Sequence, residues 1–244
     1  MKLICKPLLC GIISTIISSP SYVLANESSR FDLKVLKVLT QGSPGSAFIL
    51  GPDKESSCVL ITASHVVKIN NDKEPLTFAS PKGFKFDISP GKFIFSSPEL
   101  DLAITKAPSC QNSMDLPLAR ASSIVTSTKV WVKGYPESIG DSLLPKTVSG
   151  RITQYNDIEG YDLNYDAPTS VGFSGGPVIN SDGTELLALH GYSDTVGDIN
   201  DLSRREEMRV GGRGVSAPLL YRFLRMNGFK MFRSKKSVCL VGVC

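Results

Sequence analysis

Turn-forming residues interrupt this sequence at short intervals, and that limits the possible folds more than any other feature. There are 21 glycines and 15 prolines in 244 residues. Between them lie apolar runs too short for ordinary helices. Val35–Thr40, Ser46–Leu50, Cys58–Ala63, Phe84–Ser89, Lys92–Phe95 and Leu102–Ala107 are rich in Val, Ile and Phe and bounded by Gly, Pro, Asp or Ser, as strands are. Pro108 to Pro117 reads as a linker. A second series follows: Lys129–Lys133, Thr147–Tyr155, Tyr161–Tyr165, Pro177–Asn180 and Glu185–Tyr192. Ser181-Asp182-Gly183-Thr184 is a hairpin signal, because glycine accepts positive φ. One helix closes the series, with Ser216 to cap it, Pro218 in its first turn, Leu219, Leu220, Phe223 and Leu224 as its apolar stripe, and Gly228 to end it. The order predicts an all-β protein of two packed six-stranded antiparallel β-barrels with a C-terminal helix.

The first 25 residues stand apart. Lys2 and Lys6 precede an apolar stretch from Pro7 to Ile17, and small residues follow at Val23 and Ala25. This is the pattern of an export signal cleaved after Ala25. The apolar run is far short of the roughly 20 residues that span a bilayer. The expected mature protein is therefore secreted or periplasmic, with no stable membrane anchor. Its expected divisions are 1–25, the signal; 26–112, a first barrel; 113–226, a second barrel with the helix; and 227–244, a basic tail containing cysteines.

Hydrophobic residues make up 41% of the chain and charged residues 20%, which excludes a disordered chain. The formal net charge of +4 is concentrated at the ends. Lys2 and Lys6 leave with the signal, and Lys230, Arg233, Lys235 and Lys236 lie in the tail. The body between is close to neutral, so nothing points to nucleic acid as a partner. Ser193–Arg209 is a charged stretch whose Asp194, Asp198 and Asp201 lack the spacing of a calcium loop, and it reads as a solvated loop. Of six cysteines, Cys5 and Cys10 lie in the leader, leaving Cys58, Cys110, Cys239 and Cys244. An even number in an exported chain suggests two disulfides, with three connectivities open. No Cys-x-x-Cys pair exists, and no histidine accompanies a cysteine pair, so no metal is expected and no cofactor either.

Three segments carry chemistry. His65 ends the apolar run Ile61-Thr62-Ala63-Ser64, Asp101 begins Leu102-Ala103-Ile104, and Ser174 sits within Gly172-Phe173-Ser174-Gly175-Gly176-Pro177. A serine hydroxyl attacks poorly until an imidazole takes its proton. The imidazole needs a carboxylate to fix its tautomer. The oxyanion that develops needs aimed N–H donors, for which Gly172 and Ser174 are the candidates. Each fragment alone is commonplace. Together, in the order His, Asp, Ser, they specify acyl transfer.

On these three segments the chain resembles the chymotrypsin-like (trypsin-like) serine peptidases over about residues 33–226. The resemblance implies a double β-barrel with the site between the barrels: His65 as general base, Asp101 as its orienter, Ser174 as nucleophile. In that fold the strand entering the His lies antiparallel to the strand leaving the Asp. A Cys58–Cys110 disulfide is therefore implied, with Cys239 and Cys244 pairing locally. Phe173 replaces the aspartate that many relatives use to sense a freshly cut N-terminus, so that activation switch is absent. Pro168 stands where an aspartate would select basic residues. Tyr165-Asp166-Ala167-Pro168-Thr169 and Val132-Lys133-Gly134-Tyr135-Pro136 are more similar to the bacterial glutamyl endopeptidases, and His190 falls one residue later than their pocket histidine. Thr169, His190 and Gly191 are thus the substrate-binding candidates, with an acidic residue before the scissile bond preferred.

The expectation is a secreted serine endopeptidase acting on a protein or peptide substrate. The rival is a catalytically silent binding module on the same fold. A quality-control peptidase with an appended peptide-binding domain would need more chain after the helix than residues 227–244.

Overall fold

A computed structural model of the protein describes residues 31–40, 44–52, 56–68, 74–156, 160–195, 209–231 and 233. The expected signal, the expected Cys239–Cys244 pair and most of the charged loop fall outside those residues.

The first sheet is built from β1 (Val35–Leu39), β2 (Gly45–Leu50), β3 (Val59–Ala63), β4 (Leu76–Ala79), β5 (Lys85–Ile88), β6 (Ile94–Phe95), β7 (Leu102–Lys106) and β8 (Ser113–Met114). Helix α1 (Ser64–Lys68) follows β3. The strand order is β5-β4-β1-β2-β3-β7-β6, with β8 added parallel to β2. β1, β2, β3 and β7 are buried almost throughout, so they read as continuous rather than alternating apolar runs.

This sheet was expected to be a closed six-stranded barrel, and it is instead a half-barrel whose edge strands β5 and β6 do not pair. β6 is two residues long, too short for a full ladder. Aromatic rings fill the interval. Phe86 stacks on Phe78 at 5.4 Å, Phe78 meets Phe93 at 6.2 Å, and Phe93 meets Phe95 at 6.3 Å.

The second sheet closes fully. β9 (Lys129–Gly134), β10 (Lys146–Tyr155), β11 (Leu163–Tyr165), β12 (Pro177–Asn180), β13 (Leu186–Thr195) and β14 (Arg209–Ser216) form the barrel β10-β11-β14-β13-β12-β9. Closure removes the unpaired edges that an open antiparallel sheet would expose. The turn between β12 and β13 is a hairpin as expected, with Gly183 at φ 66° and Asn180 Oδ1 accepting from Thr184 N and Glu185 N.

Helix α2 (Ala217–Met226) packs Leu219, Leu220 and Leu224 onto the barrel. Ser216 occupies its N-cap position without a side-chain cap. Asp162 Oδ1 instead accepts the Ser216 N–H at 2.7 Å, and that carboxylate satisfies one of the buried donors at the helix start that have no partner within the helix. The helix ends at Asn227, followed by Gly228 at φ 88°.

Two contacts tie the closed barrel to the N-terminal half of the chain. Lys133, fully buried on β9, pairs with Asp32 at 2.6 Å and meets Thr147 Oγ1 at 2.8 Å. Burial pushes the Lys133 ammonium down, and the Asp32 charge partly restores it. Ser46 on β2 is the second contact. Its N–H donates to Ser174 O at 2.8 Å, its Oγ donates to Gly172 O at 2.7 Å, and the same Oγ accepts from Tyr135 N at 2.9 Å. The Cys58–Cys110 disulfide forms, bridging a sequence separation of 52.

Candidate active site

His65 is carried on the first turn after β3, and Asp101 lies just before β7. β3 and β7 pair antiparallel through Ala63 and Leu102, which brings the two residues side by side. Asp101 has φ 46°, a left-handed conformation that aspartate tolerates better than most side chains and that turns its carboxylate back onto α1.

That carboxylate is heavily engaged. Oδ1 accepts from Ser64 Oγ at 2.6 Å and from His65 N at 2.9 Å. Oδ2 accepts from His65 Nδ1 at 2.7 Å and from the Tyr161 hydroxyl at 2.6 Å. Burial pushes the Asp101 carboxyl up, but the His65 hydrogen bond and charge, with the Ser64 and Tyr161 hydroxyls, outweigh it and hold the group below its usual range. The His65 side chain is 40% exposed and that of Asp101 10%, so the carboxylate backs an imidazole that faces solvent.

Ser174 stands across the cleft in the loop before β12. Its Oγ donates to Gly191 O at 3.1 Å. Gly172 has φ 98° and Gly175 φ 87°. A Cβ would lie 2.1 Å from Tyr135 O at the first and 2.0 Å from Ser46 O at the second, so only glycine fits either position. The Phe173 N–H between them is spent on Ser170 O at 3.0 Å. Among the described residues, no protein acceptor takes the N–H of Gly172 or of Ser174. His65, Gly172, Ser174, Gly191 and Ser193 line one cleft of about 460 Å³. Its rim carries the exposed apolar groups Val171 and Tyr192.

The specificity candidates lie deeper than the sequence suggested. Thr169 and His190 are fully buried and do not reach the cleft surface. The Tyr165 hydroxyl hydrogen-bonds His190 Nδ1. Ser193 Oγ bonds Thr169 Oγ1 at 2.9 Å and lies 3.3 Å from His190 Nε2, which makes Ser193 the residue of this group that lines the cleft. Burial, with a smaller contribution from the His65 charge, pushes His190 down to about 3, so its imidazole is neutral. Thr169 Oγ1 in turn donates to Gly211 O at 3.3 Å.

Sequence reasoning missed Ser46, Ser64, Tyr161 and Ser193. Ser64 had the signal of adjacency to His65. The others meet the site only through tertiary pairing.

A half-barrel and a closed barrel with this cleft between them define the chymotrypsin-like fold of serine peptidases. Residues 45–189 match the model of the trypsin-like peptidase domain, and the chain belongs to that family. The matched segment is thus a peptidase domain. Among solved structures, an HtrA-type protease, AlgW, determined with a tripeptide, is similar at 21% identity and TM-score 0.61, over 83% of this chain and 62% of that one. A serine endoprotease from Yersinia pestis is similar at 19% identity and TM-score 0.62, over 87% and 67%. The Rv3671c protease in an inactive form is similar at 22% identity and TM-score 0.57, over 86% and 96%. The chain thus spans about 62% of the length of the HtrA-type protease. These likenesses are of fold. No curated protein matches the chain. None of these relatives bears the name of the glutamyl endopeptidase branch, whose likeness rests on the sequence motifs alone.

Proposed function

We propose that Ser174 attacks the scissile carbonyl while His65 Nε2 takes its hydroxyl proton, with Asp101 holding Nδ1–H and stabilising the imidazolium. The N–H groups of Gly172 and Ser174 receive the oxyanion. His65 then returns the proton to the leaving amine, and water repeats the sequence on the acyl-enzyme. One observation carries this reading: the His65 Nδ1–Asp101 Oδ2 hydrogen bond of 2.7 Å beside a cleft that Ser174 shares. In the resting geometry the Ser174 hydroxyl donates to Gly191 O, so attack requires it to leave that acceptor for His65 Nε2.

A fluorophosphonate probe tests the assignment. Ser174→Ala should abolish covalent labelling with the thermal midpoint retained. Labelling that persists in the variant removes Ser174 from the role. A wild-type chain that neither labels nor hydrolyses peptides favours the silent binding module.

We further propose that an acidic residue is preferred before the scissile bond. Ser193, Thr169 and neutral His190 form a hydrogen-bonding wall at the side of the cleft, with Gly191 beside them. A substrate carboxylate would accept a hydrogen bond from the Ser193 hydroxyl, whose oxygen in turn accepts from His190 Nε2–H behind it. A matched peptide series varying that one residue tests this. Equal rates for Glu, Ala, Phe and Lys would end the proposal.

Export fits the Cys58–Cys110 disulfide, since such bonds persist in oxidising compartments. Among the described residues no helix is long and apolar enough to cross a membrane. Our division of the chain is the one given above, with His65 and Asp101 in 26–112 and Ser174 in 113–226.

A further inference from the structure

Tyr161 lies outside the hydrolytic set, yet its hydroxyl donates to Asp101 Oδ2 at 2.6 Å, the same oxygen that accepts His65 Nδ1. It stands just before β11 in the closed barrel, whereas Asp101 and His65 belong to the half-barrel. The other three donors to the carboxylate, Ser64 Oγ, His65 N and His65 Nδ1, all come from two adjacent residues. A carboxylate held by those alone can swing with the imidazole it is meant to orient. Tyr161 supplies a reference point independent of His65.

The tyrosine is itself firmly held. A Cβ at Gly191 would lie 2.0 Å from Tyr161 Cε1, so the ring occupies the space that a side chain at that strand position would need. The Tyr192 ring stacks beside it, with centroids 6.4 Å apart and planes at 30°. Glycine at 191 and tyrosine at 161 thus belong to one packing arrangement. Burial, with the Asp101 hydrogen bond and charge and the neighbouring Tyr192, raises the Tyr161 hydroxyl well above its ordinary value, so it remains a donor.

We propose that Tyr161 is a positioning residue for peptide hydrolysis, acting through Asp101 to fix the plane of the carboxylate and thereby the orientation of His65. The proposal rests on the reading of Ser174, His65 and Asp101 given above. It also makes the alignment of the His65–Asp101 pair dependent on the docking of the two sheets.

The test compares the wild-type chain with Tyr161→Phe, which keeps the ring against Gly191 and Tyr192, and with Ser174→Ala. Tyr161→Phe should lower kcat about tenfold and leave KM within about twofold, the pattern of a lost transition-state contribution. The acid limb of kcat/KM should move to higher pH. A carboxylate relieved of one donor presents more charge to the imidazole and favours imidazolium. The same shift is readable by NMR without activity. The chain has two histidines, and burial holds His190 down to about 3, so the other imidazole titration belongs to His65. That titration should move upward in Tyr161→Phe. Unchanged kcat, acid limb and imidazole titration would overturn the proposal. A raised KM at constant kcat would make Tyr161 a substrate contact and overturn it as well. If hydrolysis survives Ser174→Ala, the underlying assignment fails on its own, and the imidazole titration still decides whether Tyr161 governs the Asp101–His65 pair.

Discussion

Ser46→Ala is the substitution that asks most of the seam between the sheets. The backbone contacts of residue 46 survive it, including the N–H to Ser174 O at 2.8 Å and the carbonyl that accepts Thr62 Oγ1 at 2.8 Å. What disappears is the hydroxyl, which satisfies Gly172 O at 2.7 Å and Tyr135 N at 2.9 Å. Ser46 and Tyr135 are both fully buried, so water does not replace it. A buried backbone group left without a partner costs about 1–3 kcal/mol. Two such groups, with some relaxation, give about 3 kcal/mol, or ~6–12 °C in Tm for a domain of this size. A second effect falls on rate. Gly172 O is one anchor of the loop that presents the two proposed oxyanion donors. Removing an oxyanion donor outright costs on the order of 100-fold or more in kcat, and loosening the loop should cost about tenfold, with KM little changed. Urea unfolding and steady-state kinetics on a single peptide measure both. A variant that melts with the wild type and retains kcat would refute the idea that this hydroxyl holds the loop.

Replacing Cys58 and Cys110 together by alanine should lower the unfolding free energy by about 4 kcal/mol, the chain-entropy value for a loop closed over a separation of 52. Non-reducing urea titrations measure it, and an unchanged midpoint would contradict it. His190 gives a pH signature. Its folded value of about 3 lies below the ordinary 6.5, so the fold binds fewer protons than the unfolded chain between those limits. Its contribution is complete above about pH 6.5 and is lost at about 1.4 kcal/mol per pH unit as pH falls toward 3. Between pH 7 and 4.5 the wild type should therefore lose about 2–3 kcal/mol more than His190→Asn, and equal losses would refute the burial of a neutral imidazole.

Much of this was legible in the sequence because the chemistry and the strands share short segments. Ile61 to His65 announces both a buried strand and the residue at its end, and Gly172–Pro177 announces a sharp loop whose glycines later prove sterically obligatory at 172 and 175. Three strands escaped, among them Ser113–Met114, two residues inside the stretch read as a linker that pair with β2. Leu76–Ala79 is four residues between Pro75 and Pro81, too short for alternation to register. Arg209–Ser216 carries Gly211, Gly212 and Gly214, which weaken any strand signal. The glycine at 212 is there because Thr169, Tyr165 and His190 press within 2.9 Å of where its Cβ would be. Tyr161 and Ser46 were illegible for a related reason. Each acts on a partner about 60 residues away or more, and no local pattern encodes that meeting.

The open edge of the first sheet carries a consequence for how this enzyme wears out. One barrel is sealed by a continuous ladder, the other only by phenylalanine rings between β5 and β6. Aromatic contact resists compression well but has no directional lock, so on this flank a fluctuation can separate neighbouring strands without breaking a hydrogen bond. β6 pairs with β7, and β7 begins immediately after Asp101. A protease digesting its own kind would find there an extended strand with one edge lacking a hydrogen-bonded neighbour. Each cut would fall close to the carboxylate that orients the imidazole, and damage to the weakest flank would extinguish the activity that caused it.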